Sequence, residues 1–370
     1  EKVKYRIVPS GNRMILEIDC IERPKAMLYG SVHYDPWLSA GALVSISARD
    51  LLTSGSVINL DSYIGQYYRF RLSAIQFVDR SQKFGVEAAI FTDNTRLPLV
   101  ALKAETGPML SQNLVTSLAL RKRLSLNHLM TLSASFENKH LIPDFVASSR
   151  ISKISYDYLN LMYTYQANTL NQKYFPDQGI TYGVSVSSSK LLRGAVRVSS
   201  RRYTYGPDDE DSPFSFARTF MTRAWFNTYA SPSDKVTLSI GGDFLFSSGT
   251  DSITKGNDFW LLGGTEPLTD RSIAAIGFHP NQVLVRNTGG VRFSTDIEIA
   301  TDLHLILEGN IFALTEPDRA DGFTLMGGFS IGTGYMTVAG PLKVGVMYGF
   351  YDRHLLYRNI KGYVSMGFSF

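Results

Sequence analysis

Apolar and polar residues alternate with a period of two along nearly the whole chain. That is the spacing of strands that turn one face to an apolar surrounding and the other to a polar one. Val291, Phe293, Thr295, Ile297 and Ile299 oppose Arg292, Ser294, Asp296 and Glu298. The next run sets Leu303, Leu305, Leu307, Gly309 and Ile311 against His304, Ile306, Glu308 and Asn310. Further upstream, Val236, Leu238, Ile240, Phe244 and Phe246 oppose Thr237, Ser239 and Asp243, and Leu159, Leu161, Tyr163 and Tyr165 oppose Asn160, Met162 and Thr164. Such runs recur roughly every 20 residues, wider than the 8 to 12 of a soluble sandwich, and aromatics gather near their ends. The pattern fits strands of about 9 to 11 residues tilted across a bilayer, joined by alternating short turns and long loops. Residues 25–370, at roughly 21 to 22 per strand and loop, give about 16 strands, an even number as in bacterial barrels. The expected fold is therefore an all-β, transmembrane antiparallel barrel; a soluble all-β protein is the alternative.

Residues 1–24 read differently. Val3, Tyr5 and Ile7, a Pro9-Ser10-Gly11-Asn12 turn, then Met14, Leu16, Ile18 and Cys20 predict a hairpin of soluble character. Two strands do not fold alone, so this segment is expected to be the tail of a preceding domain. Residues 260–287 form the longest stretch without convincing alternation, and a loop of that length is usually functional or disordered.

Composition narrows the function. The 370 residues carry a net charge of +4 with no basic run, which gives no footing for nucleic acid. No apolar run reaches the 18 or so residues of a membrane helix, and no signal peptide is visible at the start. The single Cys20 excludes an internal disulfide and Cys-based metal clusters. His33, His128, His140, His279, His304 and His354 show no ligand spacing, so neither metal nor cofactor is expected. Asp208, Asp209 and Asp211 read as a solvated acidic loop. Arg121-Lys122-Arg123 and Arg201-Arg202 suit either lipid phosphates at the membrane rim or a solubilising turn. Trp37, Trp225 and Trp260 suit an interfacial aromatic girdle. No Gly-x-Ser-x-Gly elbow is present, so no catalytic residue is assigned.

The residues also carry a family likeness. Leu28-Tyr29-Gly30-Ser31-Val32-His33-Tyr34-Asp35, the segment from Gly41 to Leu52, Tyr174-Phe175-Pro176-Asp177-x-Gly179, Leu262-Gly263-Gly264, Gly332-x-Gly334 and Gly340-Pro341-Leu342 resemble the outer-membrane assembly and secretion barrels of the surface-antigen type. The resemblance implies a 16-stranded barrel (residues 25–370) in the outer membrane of a Gram-negative bacterium, with residues 1–24 as the end of a periplasmic POTRA-like domain. Val364, Met366, Phe368 and Phe370 resemble the terminal strand by which the assembly machinery takes hold of its barrels. Residues 260–287 stand where the family places a long loop that folds back into the lumen. Its tip carries an Arg followed by Gly-Phe or Gly-Tyr, the Arg paired to lumenal acids. Here Gly277 and Phe278 match, but Ile276 replaces the Arg, leaving Arg271 and Arg286 as substitutes and Asp296 and Glu298 as acidic partners. The resemblance implies a barrel that anchors, and inserts or translocates, polypeptide through a weak seam between its first and last strands. Its implied partners are outer-membrane lipid, lipopolysaccharide, and periplasmic or outer-membrane proteins. The altered tip also resembles barrels attached to patatin-like phospholipases, so a membrane anchor for an upstream hydrolase is one alternative and a passive diffusion channel another.

Overall fold

The computed structural model describes residues 2–11, 13–21, 24–35, 39–97, 109–143, 151–198, 201–248, 259–265, 267, 271–315, 322–337, 340–351 and 360–366. Trp37, Phe368 and Phe370 lie outside the described residues. Two strands, β1 (Lys2–Ser10) and β2 (Arg13–Ile21), form a sheet of their own. Tyr5 faces Ile18 and Ile7 faces Leu16 on one side of it, while Arg6 meets Glu17 at 2.6 Å on the other.

The rest is a barrel. Its wall begins with β3 (Ala26–Asp35), β4 (Ser39–Arg49), β5 (Ser56–Gly65), β6 (Tyr68–Phe77), β7 (Phe84–Leu97) and β8 (Met109–Arg123). It continues through β9 (His128–Pro143), β10 (Ile151–Asn168) and β11 (Gly179–Val198), and after the short β12 (Arg201–Tyr205) through β13 (Thr219–Ser233) and β14 (Val236–Ser247). Three short strands follow, β15 (Trp260–Leu262), β16 (Ser272–Ile273) and β17 (Val283–Val285), before the wall resumes with β18 (Asn287–Ala300), β19 (Leu303–Thr315), β20 (Thr324–Thr337), β21 (Gly340–Tyr351) and β22 (Ile360–Met366). β12 pairs back along β11, and sixteen antiparallel strands close the wall, as the repeat spacing predicts. Each wall strand is joined to its chain neighbour by a residue-by-residue ladder. β22 pairs with β3 to close the ring.

The alternation sorts the two faces. Phe244, Phe246, Phe293 and Phe329 point outward, with Phe293 and Phe329 each 57% exposed. A contiguous apolar band of this kind is stable only against lipid. The opposite face holds charged residues in pairs. Asp243 on β14, fully buried, receives Arg223 of β13 at 3.0 Å and Arg292 of β18 at 2.7 Å. Glu87 on β7 receives Arg121 at 2.5 Å and Arg71 at 3.6 Å. Taking away both arginines of such a cluster leaves a buried carboxylate without a partner, a loss of roughly 3–5 kcal/mol.

The two ends of the barrel differ. The turns after β4, β6, β8, β10, β13, β18 and β20, together with β3's start, lie at one end, and those after β13, β18 and β20 span two residues each. By the rule of short periplasmic turns this end faces the periplasm, and the long connections face outward. β10 and β11 run for 18 and 20 residues, well past the roughly 9 to 11 that cross a bilayer. Beside the seam, β3 has 10.

One periplasmic turn makes its own test. In the β6–β7 turn, the Asp79 carboxylate accepts from the Ser81 hydroxyl and from the backbone N–H groups of Phe84 and Lys83, the latter two at 2.7 and 2.9 Å. These bonds lower its pKa from 3.8 to about 2, the Ser81 hydroxyl contributing most. A carboxylate held below its unfolded value stabilises above pH 3.8 and loses that contribution as pH falls through about 2. Amide protection of Lys83 and Phe84 is therefore expected to persist at pH 4 and to fade only toward pH 2, read by hydrogen exchange. Loss of protection already near pH 4 would contradict the bonding.

Candidate functional site

Between β14 and β18, residues 259–265 and 271–286 lie inside the barrel. β15 pairs with β16 in parallel and β17 antiparallel, so a stretch with little alternation becomes a compact three-stranded sheet. Its side chains Trp260, Leu262, Ile273, Ala275, Phe278, Val283 and Val285 pack with wall residues Met221, Leu245, Phe312, Leu314, Met326 and Tyr351. All these wall residues lie toward the extracellular ends of their strands. On the other side Leu261 packs against Tyr156, Tyr158, Leu191 and Phe214. The extracellular half of the lumen thus holds an apolar core, while Ser45, Asp61, Ser239 and Ser294 line the wall nearer the periplasm.

The tip of this loop is Ile276-Gly277-Phe278. Gly277 has φ +94°, a conformation open to glycine and strained for other residues. It lies so close to the wall that a Cβ at Gly349 would stand 2.4 Å from Gly277 O, and one at Gly328 would stand 2.0 Å from Ile276 O. Two strand glycines therefore form the seat into which the tip backbone fits. Asn310 Nδ2 on β19 donates to Ile276 O and to Gly328 O, each at 3.2 Å. The Gly277 N–H reaches Met347 Sδ at 3.4 Å. Lys361, at the extracellular end of β22, donates to Gly277 O at 2.8 Å and to Gln282 Oε1 at 3.5 Å, with its ammonium 5.4 Å from the Phe278 ring centroid.

The substitution at Ile276 acquires a physical account here. Ile276 is buried with Met347 and Tyr363, a niche that takes a branched apolar chain. The cation of this contact comes from the opposite partner: the wall supplies Lys361 and the tip supplies a carbonyl and a ring. Arg271 reaches Glu137 on β9 at 3.6 Å, across the lumen from β22. The backbone N–H of Arg286 donates to Thr315 O at 3.0 Å, at the extracellular rim. Asp296 is not brought to the loop: it pairs with His304 Nδ1 at 2.8 Å, near the periplasmic end of β18. Glu298 lies two residues further toward that end. Ten residues of strand separate Arg286 from Asp296, about 33 Å at 3.3 Å per residue, so neither acid can serve the tip.

The girdle expected at tryptophan is corrected. Trp225 shares a strand face with Met221 and Arg223, and Arg223 stands 5.2 Å over its ring, so it turns into the lumen. Trp260, 5% exposed, belongs to the plug. Trp260 packs in the apolar core of the loop, and the Trp225 ring lies over Gly183 of the neighbouring strand, which has no side chain in its way. The lipid-facing aromatics near the periplasmic rim are instead Tyr165 and Tyr182, with His128 Nδ1 2.7 Å from the Tyr165 hydroxyl. Val364 and Met366 occupy the face of β22 opposite Lys361 and Tyr363, pairing with Val344 and Leu342. Sequence reasoning passed over Lys361, Asn310, Gly328, Gly349 and Glu137. The mid-strand glycines were the available signal, since glycine in a strand often marks close approach of another backbone.

Comparison with known proteins agrees with this architecture. The family model described as OMP85 superfamily matches residues 14–370. The fold is similar to a crystal structure of BamA from Haemophilus ducreyi lacking POTRA domains 1–3, at TM-score 0.66 and 14% identity, covering 99% of this chain and 74% of that one. It is also similar to CdiB from Acinetobacter baumannii (0.59, 12%, 99% of this chain and 65% of that) and CdiB from Escherichia coli (0.58, 12%, 99% and 67%). No curated protein sequence matches the chain. The family match concerns the superfamily as a whole and does not single out the patatin-like branch. A sixteen-stranded wall, a lumenal loop seated by its Gly-Phe tip and a family match over nearly the whole length lead to one conclusion: the chain belongs to the OMP85 superfamily, as an outer-membrane β-barrel.

Proposed function

We propose that this barrel inserts or translocates polypeptide at the outer membrane by pairing a substrate strand to the β22–β3 seam, with the lumenal loop holding β22 in its resting place. The observation that carries this is the Lys361 latch, which ties the loop tip to the last wall strand. Two further features support it. Gly30 on β3 has no atom within 4 Å of an added Cβ, so this strand is light in packing beside the seam. The plug packs into the extracellular half of the lumen, which favours a strand-handling barrel over a diffusion channel. A substrate strand presented at an unsatisfied edge gains main-chain hydrogen bonds, the energetic basis of strand addition.

The same reading makes β1 and β2 the end of a periplasmic module, because Tyr5, Ile7, Leu16 and Ile18 form an exposed apolar face that calls for a cover. It places Val364 and Met366 in the strand read by the assembly machinery. Arg201 and Arg202, at the extracellular end, are suited to lipopolysaccharide phosphates. The test is photocrosslinking in cells from a benzophenone side chain at Val32 of β3, with Leu118 of β8 as the comparison site. Capture of an outer-membrane polypeptide at Val32 and not at Leu118 is expected. Equal capture at both sites, or none at Val32, would overturn the seam reading.

A further inference from the structure

A second feature lies at the other end of the molecule. Between the β6–β7 and β8–β9 turns and the end of β10 is a cavity of about 380 Å³, within the size range of ligand pockets. Lys83, Arg121 and Arg123 line it, with Gln166 and Asn168 opposite and Leu129 beneath. Among the described residues no carboxylate lines it. The Arg123 backbone N–H donates to Lys83 O at 2.7 Å, so the two basic residues stand as cross-strand neighbours. Arg121 is already held by Glu87, and Asp79 is occupied by its own turn. Among the described residues no acid pairs with Lys83 or Arg123.

Arg121, Arg123, Gln166 and Asn168 reach the pocket from the lumen face of the wall, and His128 from the lipid face. On β8, Leu118 and Leu120 face lipid, which sends Arg121 and Arg123 inward. On β10, Leu159 and Leu161 face lipid, which sends Gln166 and Asn168 inward. Leu126, 92% exposed at the tip of the β8–β9 turn, stands beside it as an apolar ledge. Paired cations, carboxamides able to bond a backbone, and an apolar ledge match an extended peptide that carries acidic side chains and an aliphatic one. A phospholipid headgroup would approach from the outer face, where Lys122 points instead.

We propose that this periplasmic-mouth pocket binds an acidic, leucine-bearing segment of a periplasmic polypeptide. The site goes beyond the seam function and does not depend on it, since the two lie on different strands and are read by different experiments. The test uses the full chain in non-ionic detergent and a fluorescein-labelled hexapeptide of four glutamates and two leucines, followed by anisotropy. Saturable binding that weakens with added salt is expected. K83E/R123E is expected to weaken it by about tenfold or more, whereas K122E, the same charge change on the lipid side, leaves it intact. If the double reversal prevents folding, as judged by migration of the unheated barrel, K83Q/R123Q carries the same comparison. Three results would overturn the proposal: no binding, equal weakening by K122E, or full displacement by dihexanoylphosphatidylglycerol, which would assign the pocket to lipid.

Discussion

A valine placed at Gly349 is expected to drive the loop tip out of its seat. The added Cβ would stand 2.4 Å from Gly277 O and 2.8 Å from its carbonyl carbon. Those are backbone atoms, which cannot swing aside as a flexible side chain does, and Gly277 is held on its other side by Asn310 through the neighbouring Ile276 carbonyl. Overpacking a well-fitted contact costs typically about 1–3 kcal/mol, and a clash with main chain lies at or above the upper end. A loss of about 3 kcal/mol raises the population of the displaced loop roughly a hundredfold. Trypsin cleavage after Arg271 in the folded barrel should accelerate accordingly, and planar bilayers should show a steady conductance that the wild type lacks. Gly30→Val is the matched control, because no atom lies within 4 Å of its added Cβ. Unchanged cleavage in Gly349→Val would place the tip elsewhere.

The second large effect belongs to Lys361→Met, which keeps the length of the side chain and removes its charge. Gly277 O and Gln282 Oε1 both lose the Lys361 donor, and the Phe278 ring loses its cation. Gln282 Oε1 keeps the His279 N–H at 2.7 Å, but leaving the Gly277 carbonyl unsatisfied costs about 1–3 kcal/mol, with about 0.5–2 kcal/mol more for the cation over the ring. The consequence reaches past the loop, because Lys361 is part of the strand that closes the barrel against β3. Hydrogen exchange in β22 and β3 is expected to quicken about tenfold or more, while β8 and β9, joined by a long unbroken ladder, stay protected. Lys361→Arg retains a cation and should restore much of the protection. Equal exchange in wild type and Lys361→Met would separate the loop from the seam.

The barrel was legible because its signal is local. Period-two alternation is imposed on each strand by lipid on one side and water on the other, so Val291 to Ile299 can be read without knowing what lies beside them. Strand number followed from repeat length. Side-chain partners inside the lumen were not legible, because they depend on which strands face each other across the barrel. Arg271 meets Glu137, a residue 134 positions earlier in the chain, while the nearer Asp296 lies too far down its own strand. The tryptophans misled for a related reason. An indole suits a bilayer interface, and it suits an apolar plug equally well; strand parity decides for Trp225 and the three-stranded sheet decides for Trp260. The missing tip arginine at Ile276 was visible in the sequence, but its counterpart, a lysine on the last strand, becomes visible only when the tip and β22 are brought together.

The most direct measurement joins the tip to the wall by a disulfide. Ile276 and Met347 pack together, so I276C/M347C in a Cys20→Ser background should crosslink spontaneously in whole cells, shifting the unheated band and leaving residue 276 closed to a membrane-impermeant maleimide. A lumenal loop latched beside the last strand requires that result. Maleimide labelling at residue 276 with no crosslink would show the loop standing outside the barrel, and the latch with it.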